Sequence, residues 1–216
     1  MSTLVLPAYS RTEEIWSASV HFAGVLLSIL FSFFMIYSAA QSRDATLIFS
    51  VSVFGASMIT LYTASTLYHA VKNPQKKRAL KKFDHIAIYY LIAGTYTPFM
   101  LVSLSSTTGI VLFSTVWTLA VVGTFLKLFS SGDGKKFWSI GLYLGMGWMV
   151  VIASKQLYEQ LPAAGLGFLV GGGLMYTIGT LFYVQKRKKY MHTVWHFFVL
   201  GGSIMHFFAI HLSCMN

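Results

Sequence analysis

Charged side chains are scarce in this sequence of 216 residues: Asp, Glu, Lys and Arg make up 10% of it, and only 6 residues are acidic. An ordinary soluble domain has roughly 25% charged residues, so the composition excludes a water-soluble globular protein. Cysteine is scarcer still, with 1 residue, which excludes an intramolecular disulfide. Hydrophobic residues are abundant, at 56% of the chain. We therefore expect a protein that lies in a lipid bilayer.

The few charges leave long uncharged runs, which cover 15–42, 45–71, 85–126, 137–154, 160–185 and 190–216. A helix needs about 20 residues to cross a hydrocarbon core of ~30 Å. The run 85–126 would form a helix of ~63 Å, too long for one crossing, and its polar stretch 103–109 is the place for a turn. The sequence predicts an all-α, polytopic bundle of seven spans, near 15–37, 45–69, 84–104, 109–129, 137–154, 163–184 and 191–212.

The organisation outside the spans is simple. Residues 1–14 are expected to form a short cytoplasmic tail, and residues 15–216 a single transmembrane domain. A cleaved signal peptide is the alternative for the first run, because 38–40 is Ser-Ala-Ala; the acidic residues before the run and its length favour a retained helix. Glycines in the fifth and sixth spans are expected to permit close helix contact; they are Gly141, Gly145, Gly147, Gly167 and Gly171.

In a soluble protein, the formal net charge of +10 would suggest nucleic-acid binding. In a membrane protein, the distribution of this charge among the loops indicates how the chain is oriented in the membrane. With seven spans, the N-terminus shares a side with the basic loops near 72–82, 127–136 and 186–189, and of the 16 Lys and Arg residues only Arg43 and Lys155 fall on the other side. The positive-inside rule then predicts a cytoplasmic N-terminus and an external C-terminus in the cell membrane. No nucleic-acid partner is expected. The runs 76–82 and 186–189 are interpreted as loop charges, with binding of anionic headgroups as the alternative.

Ionisable side chains inside spans are costly and usually face the bundle interior, which directs attention to the 7 histidines. His192 and His196 lie four residues apart and project from one helix face, with Cβ atoms ~6 Å apart, so they can share one metal ion. The alternative is a pair of hydrogen-bonded histidines in the core or at the interface. His69 is predicted at the same depth at the end of the second span. Asp84 is expected there too, as the only acidic residue that adjoins a span and is followed by an uncharged run as long as 85–126.

Three neutral imidazoles with one open position form the ligand set of a catalytic zinc ion. Zinc would lower the pKa of a bound water towards ~7 and polarise a carbonyl. Asp84 is then either a fourth ligand or the base that holds this water. Ser65 lies on the same helix face as His69, where its hydroxyl could hydrogen-bond the water or a developing oxyanion. The alternative for Ser65 is a hydrogen bond to the preceding turn of its own helix.

The remaining histidines have separate expectations. His21 lies about two turns into the first span, where it either supports a metal ligand or makes a hydrogen bond in helix packing. His206 follows His196 by ten residues, ~15 Å along the axis, too far to join the same ion, and His211 is further still. His85 projects about 100° away from Asp84 and is expected to face the membrane interface.

Together these segments resemble the bacterial haemolysin III family, which belongs with the progestin and adiponectin receptor family. The resemblance covers nearly the whole chain and rests on Ile15-Trp16, His21-Phe22-Ala23-Gly24, Ser65-Thr66-Leu67-Tyr68-His69, Asp84, Gly94-Thr95-Tyr96-Thr97-Pro98, His192-Thr193-Val194-Trp195-His196 and Met205-His206-Phe207. It implies seven helices, a cytoplasmic N-terminus and zinc near the inner leaflet. It also implies the site roles: His69, His192 and His196 as ligands, Asp84 holding the zinc-bound water, and Ser65 as the accompanying hydroxyl.

The wider group that the resemblance brings in includes the alkaline ceramidases and resembles a superfamily of intramembrane hydrolases of lipid amide bonds. The favoured hypothesis is therefore a zinc-dependent hydrolase that acts on an amide or ester of a membrane lipid at the inner leaflet. One alternative is a non-enzymatic sensor of membrane lipid or fluidity with structural zinc, so that enzymatic activity stays open. Another is a cytolysin that permeabilises membranes, although the expected lack of a cleavable signal and of a soluble state argues against secretion.

Overall fold

Helices account for nearly all of the computed structural model, which describes residues 9–129, 136–185 and 188–215 and has no strand among them. The helices are α1 (Arg11–Ser42), α2 (Ala45–Ala70), α3 (Pro74–Pro98), α4 (Thr107–Phe129), α5 (Lys136–Trp148), α6 (Ser154–Gln160), α7 (Ala163–Val184) and α8 (Met191–Cys214). A π-helical turn, Phe99–Ser103, prolongs α3, and a 3-10 turn, Met149–Ala153, joins α5 to α6. In the described ranges, seven helical stretches are long and apolar enough to cross a membrane, which confirms the predicted all-α, seven-span architecture.

The first helix begins earlier than predicted, at Arg11 instead of residue 15. Ser10 caps it: the Ser10 hydroxyl accepts from the Glu13 backbone N–H, and the Glu13 carboxylate accepts from the Ser10 N–H, which is a capping box. Glu13 and Glu14 therefore lie in the first turn of a spanning helix, although the sequence had placed them in the tail. Glu13 also accepts from the backbone N–H of Tyr190 at 2.7 Å, which links the start of α1 to the start of α8.

The third helix also begins earlier, at Pro74, ten residues before Asp84. The Asn73 side chain accepts the backbone N–H groups of Gln75 and Lys76, and proline at the first helical position has the backbone angle that a helix requires. The basic run 76–82 thus forms the first turns of α3, and its interpretation as a loop was wrong. Lys135, Lys186 and Arg187, which were counted among the basic loop residues, lie outside the described residues.

The packing order brings the ends of four helices together. Helix α1 packs against α2 and α8, α2 packs against α3, and α7 packs against α8. Since α2 ends four residues before α3 begins, and Glu13 joins the starts of α1 and α8, one end of the bundle holds the starts of α1, α3 and α8 and the end of α2. We call this the histidine end.

The glycines that permit close helix contact are mostly different from the predicted ones. Gly141, Gly145, Gly147 and Gly167 have no atom within 4 Å of the position that a Cβ would take, so the expectation of close packing was wrong for them. Gly171 does face a neighbour, the methyl end of Met205 on α8. Closer approaches occur where rings lie over a glycine: Tyr62 over Gly24, Tyr89 over Gly123, His206 over Gly172 and Tyr176 over Gly202.

Candidate metal centre

Three histidines from two helices meet at the histidine end. His69 ends α2, and His192 and His196 begin α8; each offers a ring nitrogen, and the three nitrogens lie within 4.8 Å of one another. His69 Nε2 and His196 Nε2 are 3.0 Å apart. His69 and His196 are buried and His192 is partly buried. This histidine cluster could hold a metal ion, because imidazole nitrogens grouped at such distances are ligands that first-row metals accept.

His21 of α1 lies directly behind one of the three. Its Nε2 is 2.6 Å from His196 Nδ1, on the opposite edge of the His196 ring from His69. The His21 ring is buried and meets the His196 ring edge to face, with centroids 4.1 Å apart. A hydrogen bond to the second ring nitrogen fixes the orientation of a ligating imidazole. The structure places His21 in hydrogen-bond contact with His196, which is compatible with both expectations, a support for a metal ligand and a hydrogen bond in helix packing.

Glu14 contacts the second ring nitrogen of His69, as His21 does for His196, and the sequence analysis did not predict it. Glu14 Oε2 lies 2.7 Å from His69 Nδ1, while Glu14 Oε1 forms an ion pair with Lys77 Nζ of α3 at 2.8 Å. A signal was present in the sequence, because Glu14 precedes His21 by seven residues and so shares its helix face. The signal could be read only with α1 extended to its true start, since a helix from residue 15 excludes Glu14.

Tyr9 covers the more exposed side of the cluster. Its ring stacks on His192, with centroids 4.7 Å apart and an interplanar angle of 15°. Burial raises the pKa of Tyr9 above its usual value, and the nearby carboxylates of Glu14 and Glu13 raise it further, so the phenol stays neutral. The stacked ring therefore shields His192 without adding charge. Nothing in the sequence marked Tyr9, which lies in the stretch expected to be a tail.

Asp84 and Ser65 lie deep in the same end of the bundle, with exposed fractions of 4% and 1%. Asp84 lines a cavity of about 130 Å³ together with His21, Tyr183 and Trp195. The Ser65 hydroxyl neighbours the Asp84 carboxyl, but it forms no hydrogen bond of standard geometry with any described residue. Among the described residues, the group of mutually close ligand atoms consists of the three histidines without Asp84.

His85 does not face the membrane interface, and that expectation was wrong. The side chain is buried, its Nδ1 donates to the Lys81 carbonyl at 2.6 Å, and its Nε2 is 3.1 Å from the Tyr183 hydroxyl of α7. The cause is the earlier start of α3. Because the helix already exists before His85, the Lys81 carbonyl of the preceding turn is available to accept its hydrogen bond. His206 lies away from the cluster, as its spacing required, and His211 packs against Phe34 and Phe207.

Comparison with known proteins shows which family the chain belongs to. A family described as Haemolysin-III related matches residues 9–207. The chain belongs to the haemolysin III family. The match includes Tyr9, Glu14, His21 and the whole histidine cluster, so the geometry described above lies within the haemolysin III region, and the resemblance inferred from the motifs is confirmed.

Individual relatives of this haemolysin III protein span almost its full length. It is 45% identical over 210 residues to the "Hemolysin-3 homolog" of Bacillus subtilis (strain 168), covering 96% of this chain and 97% of the relative. It is 39% identical over 198 residues to "Hemolysin-3" of Bacillus cereus, covering 92% and 90%. A more distant similarity, 26% over 166 residues, joins it to the "Monocyte to macrophage differentiation factor" of Homo sapiens, covering 73% and 67%.

Proposed function

We propose that this protein is a zinc-dependent hydrolase that cleaves an amide or ester bond of a membrane lipid at the histidine end of the bundle. The observation that supports it most is the histidine cluster with its two backing groups, His21 and Glu14. We also propose that the histidine end lies at the inner leaflet of the cell membrane, because it carries the basic first turns of α3.

The residues present fit a zinc ion. Because Glu14 is ion-paired with Lys77, its carboxylate is an acceptor, and His69 Nδ1 must donate to it. His69 Nε2 then carries a lone pair, which is directed at His196 Nε2 3.0 Å away. A carboxylate that fixes the tautomer and direction of an imidazole is typical of metal-ligating histidines. Three imidazoles without a fourth protein ligand also match a catalytic zinc site better than a closed structural one.

Each residue has a role in the proposed hydrolysis. When bound, zinc supplies polarisation of the lipid carbonyl and a lowered pKa for water. Asp84 accepts a proton from the attacking water as the water oxygen bonds to the carbonyl carbon, and it gives that proton to the leaving nitrogen or oxygen as the scissile bond breaks. The Ser65 hydroxyl donates a hydrogen bond to the carbonyl oxygen while negative charge develops there. The absence of Asp84 from the close group of ligand atoms supports this base role over direct ligation.

The apolar cavity supports a lipid as the substrate. Most of the lining surface of the 130 Å³ cavity is apolar, with side chains such as Leu61, Ile88 and Leu91, and Asp84 and His21 are among its polar residues. A hydrocarbon chain suits such a lining, whereas a water-soluble substrate would lose hydration without compensation. The partner implied is therefore a bilayer lipid whose carbonyl lies at the polar end of the cavity.

The proposal is tested by measuring two quantities in purified wild-type protein and its variants: the zinc content and the rate of lipid hydrolysis. We expect about one zinc ion per wild-type chain, and its loss when His192→Ala and His196→Ala are combined. Asp84→Asn should retain zinc and lose hydrolysis of amide and ester lipids by about 100-fold or more. His211→Ala, on the same helix outside the cluster, is the matched control and should keep both. Wild-type protein without zinc, or undiminished zinc in the double variant, contradicts the proposal.

A second candidate, a lipid or fluidity sensor with structural zinc, is favoured by one observation. The cluster and its backing residues come from α1, α2 and α8, so a bound ion would hold three helices together. Asp84→Asn separates the two functions. If wild-type protein binds zinc but hydrolyses none of the lipids, and Asp84→Asn leaves its membrane response unchanged, the sensor is the better account.

A further inference from the structure

His206 lies where two cavities adjoin, far from the histidine cluster. It follows His196 by ten residues on α8, ~15 Å along the helix axis. Its side chain lines both the 130 Å³ cavity that contains Asp84 and a second cavity of about 480 Å³ that reaches Lys155 near the other end of the bundle. Since Thr95 and Tyr96 also line both, the two cavities meet at this level. His206 is thus a polar group halfway along an apolar passage.

The ring of His206 is held in one orientation. Its Nδ1 donates to the Gly202 carbonyl at 2.7 Å, because a carbonyl can only accept. One face stacks on Tyr176 of α7, with centroids 5.2 Å apart and an interplanar angle of 14°, and the Tyr176 hydroxyl is anchored to Ser203 at 2.9 Å. A Cβ on Gly172 would lie 2.5 Å from the ring, so only glycine leaves room for it.

The other ring nitrogen of His206 has no protein partner in the described part of the chain. With Nδ1 as the donor, a neutral imidazole has an acceptor lone pair at Nε2, and an unpaired charge at this depth in the bundle would be costly. The residue is 6% exposed and lines both cavities, so a molecule in the passage can supply a donor to this acceptor. A buried acceptor left without a donor costs free energy, which selects for a ligand that supplies one.

We infer that His206 determines specificity by accepting a hydrogen bond from a hydroxyl group on the hydrocarbon chain of the lipid. The inference rests on the proposed function, which places the lipid carbonyl at the histidine cluster. The favoured lipid then carries its hydroxyl ~15 Å from that carbonyl, the distance from His196 to His206 along α8. Ile92 and Val199 contribute only hydrocarbon to this lining. The hydroxyls of Thr95 and Tyr96 also lie here, but each already donates to a backbone carbonyl, of Leu91 and Gly147 respectively.

The test is equilibrium binding of fatty acids to the purified, zinc-loaded protein. The probes are octadecanoic acid and its monohydroxy derivatives, with the hydroxyl near the carboxyl, in mid-chain or near the methyl end. Trp148 and Trp195 line the first cavity, so quenching of tryptophan fluorescence reports binding. We expect the mid-chain hydroxy acid to bind about fivefold more tightly than octadecanoic acid. His206→Phe should abolish the preference, and His206→Gln, which keeps an acceptor, should restore part of it.

His211→Phe is the matched control, since it makes the same change on the same helix outside both cavities, and it should keep the preference. If wild-type protein binds all probes equally, binds none, or prefers a hydroxyl at either end of the chain, the inference is overturned; a resident water at Nε2 would produce the first result. A preference that survives His206→Phe also overturns it. Loss of zinc or of turnover in wild type would instead contradict the proposed function, because the binding preference is measured without hydrolysis.

Discussion

Glu14 contacts the histidine cluster through His69, without being one of the three candidate ligands. Its carboxylate bonds His69 Nδ1 on one side and Lys77 Nζ on the other, so the charge of Lys77 keeps Glu14 ionised and Glu14 keeps the His69 lone pair on Nε2. Loss of such outer partners typically reduces metal affinity about 10–100-fold. A residue that touches no metal is therefore expected to set much of the affinity.

Glu14→Gln is expected to weaken zinc binding by about 10-fold or more. The amide can still accept from His69, but it lacks the negative charge and the ion pair with Lys77. Chelator competition on the purified protein measures the affinity. Glu159→Gln, an exposed position on α6, is the control and should match wild type. Equal zinc affinity in Glu14→Gln and wild type would show that the carboxylate does not orient His69.

The residues of the histidine cluster could be predicted from sequence because they are rare polar groups inside apolar runs. His69, His192 and His196 also fall at one depth once the span count is known, and the structure brings them together. Glu14 and Tyr9 escaped prediction for the opposite reason, since they precede the apolar run and look like ordinary tail residues. Only the capping box that starts α1 at Arg11 brings them to the cluster.

Helices α7 and α8 pack through particular glycines that composition does not distinguish. On α7, a Cβ at Gly179 would lie 2.8 Å from the Phe198 Cβ, whereas a Cβ at Gly167 would have nothing within 4 Å. The Phe198 Cβ is attached to the backbone and cannot move aside without shifting α8. The two glycines are therefore expected to respond oppositely to the same change.

Gly179→Ala is expected to destabilise the protein by about 1–3 kcal/mol, because the added methyl separates α7 from α8. Gly167→Ala is the matched control and should be neutral or slightly stabilising, since alanine favours the helical conformation. Thermal unfolding in detergent, followed by circular dichroism, compares the two. A Gly179→Ala variant as stable as Gly167→Ala would mean that the close contact between α7 and α8 is not needed.

The spans were predictable because a bilayer requires long apolar helices, but the interruptions within them were not. The π-helical turn after Pro98 ends with the Leu104 N–H bonded to the Phe99 carbonyl at 2.8 Å, and Gly109 passes close to the Met100 carbonyl. The break between α5 and α6 likewise depends on tertiary contacts, including the Val150 N–H, which donates to the Tyr96 hydroxyl at 2.6 Å. The contacts of Gly109 with Met100 and of Val150 with Tyr96 join separate elements, and a hydropathy profile does not contain such tertiary contacts.

The bundle as a whole has a basic end. The first turns of α3 carry five Lys and Arg residues between 76 and 82, and Lys188 and Lys189 precede α8. Lys77 bonds Glu14 at the start of α1, so these charges share the histidine end. By the positive-inside rule, we expect this end to face the cytoplasm.

Orientation is tested with single cysteines in a Cys214→Ser background. We expect Lys188→Cys to react with a membrane-impermeant maleimide only after the cells are opened, and Glu159→Cys to react in intact cells; both positions are exposed and they belong to opposite ends of α7. Cys214→Ser without an added cysteine is the unlabelled control. The reverse pattern would place the histidine end outside and move the proposed hydrolysis to the outer leaflet.

The hydrogen bond between His21 and His196 joins residues that are 175 positions apart in the chain. During synthesis, which proceeds from the N-terminus, His21 and His69 enter the membrane long before their partner His196 on α8 exists. The cluster can form only after nearly the entire protein has been translated. A prematurely terminated chain would keep most of its spans and yet lack two of the three histidines of the cluster, His192 and His196.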